Sequence, residues 1–121
     1  MKKSSEQLTK LQNTLKGKFE LLQDLHNTIL SVHPKIQYRI FPLYIVYSLG
    51  EKNVALIYYR GKIVKDGGLY IGLNLDNPPK NKKFVTASAI KYPGITYGTK
   101  LQNMSKITPS IIETIRSVRI R

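Results

Sequence analysis

Apolar residues recur every three or four positions through the first third of the chain and every second position after it. Leu8, Leu11, Leu15, Phe19, Leu22, Leu25, Ile29 and Val32 keep the spacing of one helical face. Gly17, between Lys16 and Lys18, interrupts that pattern. Glycine inside a helix costs about 1 kcal/mol relative to alanine, so Gly17 reads as a joint. The spacing therefore predicts a main helix over residues 18–32, stopped at His33-Pro34 because the residue before a proline disfavours helix. Residues 1–16 form a separate amphipathic extension ahead of a domain spanning 17–121. Docking on the core, pairing with a partner or a second copy, and partial disorder are all open to that extension, and the oligomeric state is not fixed by it.

From Ile36 the period changes. Ile36, Tyr38 and Ile40 alternate with Gln37 and Arg39, as in a half-buried strand. Leu43–Leu49 and Val54–Tyr59 are almost continuously apolar and flank the turn Gly50-Glu51-Lys52-Asn53, which predicts a hairpin placed centrally and covered on both faces. Asp66-Gly67-Gly68 is a second turn, and Leu69–Leu75 alternates cleanly. Two prolines keep Asp76–Lys83 out of helix and sheet. Tyr92-Pro93-Gly94 is a turn before a last strand, Ile95–Leu101. Thr108-Pro109 caps and starts a C-terminal helix, with Ser110 and Glu113 as a capping box one register later. Ile111, Ile112, Ile115 and Val118 make its apolar stripe. The fold class expected is α+β: an antiparallel sheet of about five strands, with the N-terminal and C-terminal helices packed on one of its faces.

Composition changes the picture chiefly through charge. The 121 residues carry 20 Lys and Arg against 7 Asp and Glu, a net charge of +13. Self-repulsion of that size opposes compaction, and it persists where something anionic is close by. Nucleic acid, an anionic membrane surface and an acidic protein are the candidates. Lysine exceeds arginine, which suits diffuse electrostatics more than bidentate base reading and equally suits the codon bias of an AT-rich genome. There is no cysteine, which removes disulfides, thiolate zinc sites and cysteine nucleophiles. The charged N-terminus leads into no apolar stretch, and no run approaches the roughly 20 apolar residues of a membrane helix, so a cytoplasmic protein is expected.

Four segments carry a resemblance. They are Leu15-Lys16-Gly17-Lys18, His33-Pro34-Lys35-Ile36, Leu69-Tyr70-Ile71-Gly72-Leu73-Asn74-Leu75, and Lys91-Tyr92-Pro93-Gly94-Ile95-Thr96-Tyr97. In pattern and order, over about residues 15–119, the chain resembles the bacterial domain of unknown function 5655 family, related to the YdhG-like group. The resemblance implies the same α+β fold and an accessory module. It implies no chemical role for these motifs. The iron handling discussed for some YdhG-like relatives needs an acidic surface, which a +13 chain does not offer.

Catalytic chemistry is sparse. His26 and His33 lie seven residues apart, about 10.5 Å of helical rise, too far to share a metal. Both read as structural. Glu20 and Asp24, one turn apart, read as a solvated face. No nucleophile elbow or phosphate loop is present. No cofactor, metal site or catalytic residue is expected, and an enzyme ranks last among the readings.

Two sets of residues point to binding. Lys80, Lys82 and Lys83 cluster in the proline loop, Lys91 and Lys100 flank the last strand, and Arg116, Arg119 and Arg121 end the chain. Together they make a candidate surface for nucleic acid or another polyanion, with a solvated basic surface as the plain alternative. The second set is a strip of sheet. Gly72 and Gly98 fall mid-strand, where glycine weakens pairing unless something approaches closely. Alternation puts Gly72 with Tyr70 and Asn74, and Gly98 with Thr96 and Lys100, opposite Ile95, Tyr97 and Leu101. Tyr70, Gly72, Asn74, Thr96 and Gly98 are thus a candidate seat for a small ligand or a partner protein. A β-bulge or tight helix packing is the plain alternative there.

Overall fold

A computed structural model describes residues 19–64, 68–87, 92–101 and 107–118. The N-terminal extension, Lys91, Arg119 and Arg121 lie outside the described residues.

Helix α1 runs Phe19–Val32 and stops at His33-Pro34, as the proline dictates. Strands β1 (Gln37–Ile40), β2 (Tyr44–Leu49) and β3 (Lys52–Tyr58) follow as consecutive hairpins. A short 3-10 turn, Lys62–Val64, precedes β4 (Leu69–Leu73). Then come β5 (Val85–Thr86), β6 (Tyr97–Leu101) and helix α2 (Pro109–Ile115). The six strands form one sheet in the order β1-β2-β3-β4-β6-β5, and every neighbouring pair is antiparallel. This is the expected α+β class, with one strand beyond the five that the pattern showed. Two residues at an edge are too short to register as alternation.

The turns follow their local chemistry. Gly50 closes the β2–β3 hairpin with φ +64°. Gly94 has φ +86°, the value the third residue of a type II turn requires, and Ile95 N–H donates to Tyr92 O at 3.1 Å across it. The Thr108 hydroxyl accepts from Ile111 N–H at 3.3 Å, so the cap lies at Thr108 and Pro109 sits at the first helical position. The Ser110–Glu113 register goes unused.

The core lies between the helices and one face of the sheet. Leu21, Leu22, Leu25 and Ile29 of α1, with Ile111 and Ile115 of α2, meet Ile45, Tyr47, Ala55, Ile57, Leu69, Ile71, Leu73 and Leu101. Each fully buried leucine or isoleucine contributes about 1.5–3 kcal/mol relative to exposure. Thr114 joins Ile111, Ile115 and Val118 on the buried side of α2, whereas Ile112 is only half-buried.

The second face has a smaller cluster of its own. Val46 and Leu56 pack there with Ala87 and Ile95, bordered by Phe41, Tyr44, Tyr58 and Tyr92. The central strands are therefore covered on both faces, by different means. Ile95 departs from the expected alternation: β6 begins only at Tyr97, and the turn before it carries Ile95 to the second face.

Candidate functional site

Antiparallel pairing lines up side chains on a common face, so the register fixes which residues meet. One row across the second face reads Tyr44 (β2), Tyr58 (β3), Tyr70 (β4) and Lys100 (β6). The next row reads Val46, Leu56, Gly72, Gly98 and, on edge strand β5, Val85. Val85 is 60% exposed, unusual for a valine in a sheet.

The rings touch in sequence. Phe41 stacks on Tyr44 with centroids 5.0 Å apart and planes at 28°. Tyr44 meets Tyr58 at 5.1 Å and Tyr92 edge-on at 5.7 Å, and Tyr58 meets Tyr70 at 6.4 Å. Phe41, Tyr44, Tyr58 and Tyr92 are each half-buried: one side of the ring seals Val46 and Leu56, and part stays accessible. Burial, then the neighbouring phenols, raises the Tyr58, Tyr70 and Tyr92 hydroxyls above their ordinary 10.0. These phenols stay neutral at physiological pH.

The glycine strip lies on this face, as alternation predicted, but Gly98 already has an occupant. A Cβ there would stand 2.5 Å from Tyr70 Cζ and 2.9 Å from the Ile71 carbonyl oxygen, and would also collide with the Tyr70 hydroxyl. What approaches closely is the chain's own tyrosine. Asn74 and Thr96 act as backbone clamps. Asn74 donates to Asn53 O at 3.0 Å. The Thr96 hydroxyl donates to Leu75 O and accepts from Leu75 N–H, both at 2.9 Å.

The described cations divide between places. Lys80, Lys82 and Lys83 are exposed in the loop that enters edge strand β5, next to β6 and its Lys100. Lys100 shares the tyrosine face. Arg116 is exposed at the end of α2, on the helix side, so the sheet separates it from Lys100. The proline loop is tied to α2 by Asn81 Nδ2 donating to the Ser110 hydroxyl at 3.0 Å. A cleft of about 400 Å³ between them is lined by Asp76, Lys80, Asn81, Glu113 and Ser117, a mixture of both charges.

On the helix face His26 and Tyr47 are sealed in. His26 is 4% exposed, with Nδ1 2.7 Å from the Tyr47 hydroxyl and its ring edge-on to Tyr38 at 4.5 Å. Burial lowers the His26 pKa from 6.5 to about 4 and raises that of Tyr47 well above 10.0. Among the described residues, no three His, Cys, Asp or Glu side chains converge as metal ligands would.

In comparisons with known proteins, no family model, no curated sequence and no solved structure matches the chain. The continuously apolar central runs were expected to be covered on both faces, and Tyr47 of β2 is fully buried in the core. Alternation placed Tyr70 on the second face, where it is, but gave no sign that Tyr44, Tyr58 and Tyr92 join it there. For Tyr44 and Tyr58 the parity existed: Tyr44 is two residues from Val46, and Tyr58 two from Leu56, in runs whose continuous apolarity hid the two faces.

Proposed function

We propose that the chain is a non-enzymatic accessory module that binds nucleic acid through a basic surface. The observation that carries this reading is the row ending in Lys100, beside the edge strand that Lys80, Lys82 and Lys83 precede. A net charge of +13 supplies the long-range attraction. In this reading Lys82, Lys83 and Lys100 hold phosphates, while Lys80, which lines the cleft against α2, and Arg116, beyond the sheet, add only to the general field. A role of this kind belongs in the cytoplasm. Among the described residues, no helix is long and apolar enough to cross a membrane.

Binding of a labelled oligonucleotide, measured against salt, tests the reading. If about five phosphates are engaged, log affinity falls against log salt with a slope of about −3.5 for single strands and about −4.5 for duplex. Replacing Lys82→Glu and Lys83→Glu together makes the slope shallower by roughly one to two. Failure to retain any oligonucleotide at low ionic strength overturns the proposal.

A further inference from the structure

Phe41, Tyr58 and Tyr92, each in ring contact with Tyr44 and all four half-buried, lie on a sheet face that no described helix covers. We infer that this face stacks unpaired bases, so that the module selects single-stranded over duplex nucleic acid. The inference rests on the nucleic-acid reading above and goes beyond it by naming the form of the ligand and the groups that recognise it.

Several observations converge. The sheet holds half-buried Tyr44 and Tyr58 side by side on neighbouring strands, centroids 5.1 Å apart, with the buried Tyr70 ring edge-on behind Tyr58 at 6.4 Å. Every base has a π face, so such a platform accepts single strands whatever their sequence. In a duplex those faces are already stacked inside the helix. Phe41 and Tyr92 extend the platform around Tyr44. At the other end of the row stands Lys100, and past it the loop lysines enter edge strand β5. A strand laid along the row would set bases on the rings and carry its phosphates towards those cations. Val85, exposed on the same face beside Gly98, gives a further apolar surface along that path.

The charge of the chain selects among partners for an aromatic face. An acidic protein satisfies the cations but has no reason to prefer stacked rings, whereas a single strand satisfies both.

The chain has eight tyrosines and no tryptophan, so tyrosine emission reports on stacking directly. The full chain is titrated at low salt with oligothymidylate of about twelve nucleotides, and with a duplex of the same length. The single strand should quench tyrosine emission and bind roughly tenfold or more tightly than the duplex. Tyr58→Leu should lower single-strand affinity by about fivefold to a hundredfold, the range for loss of one stacked base, and leave duplex affinity unchanged. Tyr58→Phe keeps the ring and should bind within about twofold of the parent. The titrations of the unmodified chain need no variant to fold.

Equal affinity for single strand and duplex, with emission unchanged and a steep salt slope, overturns the stacking inference and leaves the phosphate-binding proposal standing. Absence of binding to either, as a face built for an acidic protein would give, overturns both.

Discussion

The two faces of the sheet are made by the same strands and closed in different ways. On the helix face, aliphatic side chains from α1 and α2 seal Ile45, Ile57, Leu69, Ile71 and Leu73 to complete burial. Its polar groups are paired inside, as His26 with Tyr47. On the other face, a turn and a set of tyrosines cover Val46 and Leu56, and those tyrosines remain half-accessible. Strand β4 shows the contrast within five residues: Leu69, Ile71 and Leu73 face the helices, while Tyr70 and Gly72 lie on the tyrosine side. Burial is concentrated on one side, and the recognition surface proposed above is the half-buried aromatic side.

Truncation should break that contrast most strongly on the helix face. Ile57→Ala removes a fully buried side chain facing both helices and should cost about 2–5 kcal/mol in urea unfolding. Tyr58→Leu, its neighbour on the opposite face, should cost about 1 kcal/mol or less by the same measurement, because its ring is already partly solvated. Comparable losses at the two positions would remove the distinction between the faces.

Acid should find the helix face next. His26 has a folded pKa of about 4 against 6.5 for the free side chain. The fold therefore favours neutral imidazole. Its contribution is complete above pH 6.5 and is lost as the pH falls towards 4, a change of at most about 3 kcal/mol. Unfolding followed across that window should show the decline. His26→Gln should start from lower stability and show a flatter profile. An unchanged profile in the variant would assign the acid sensitivity to other groups.

Gly98→Ala tests the contact on the tyrosine face. The new methyl would push against the Tyr70 ring and the Ile71 carbonyl, at a cost of about 1–3 kcal/mol. Part of that cost comes from Tyr70. The double change with Tyr70→Ala should therefore be less destabilising than the sum of the single changes, by about 0.5 kcal/mol or more. Strict additivity would mean that the Ile71 backbone, not the tyrosine, excludes the side chain. The smallest effect on stability is expected at exposed Lys82, where Lys82→Glu should shift it by no more than about 0.5 kcal/mol while weakening oligonucleotide binding.

The fold was largely legible in the sequence because its signals are local. Pro34 ends α1, Thr108-Pro109 starts α2, and Pro93-Gly94 makes the turn before β6. Strand β5 was not legible: Val85–Thr86 exists because Gly98 and Tyr97 offer an edge to pair with, which is a property of the assembled sheet. The candidate site divides the same way. Mid-strand Gly98 correctly signalled a close approach, but only the β4–β6 register shows that Tyr70 makes it. The three basic clusters were plain as composition. The placement of Lys100 on one face and Arg116 beyond the other depends on the strand order, which hairpin lengths alone did not supply.

Amide chemical-shift mapping of the labelled chain with a single-stranded oligonucleotide tests the division of labour most directly. The account predicts that the largest shifts fall at Phe41, Tyr44, Tyr58, Tyr70 and Lys100, with smaller ones at Lys82 and Lys83, while Leu22, Leu25 and Ile29 of α1 stay unmoved. Shifts confined to α1 and α2, or none at saturating oligonucleotide, would contradict it.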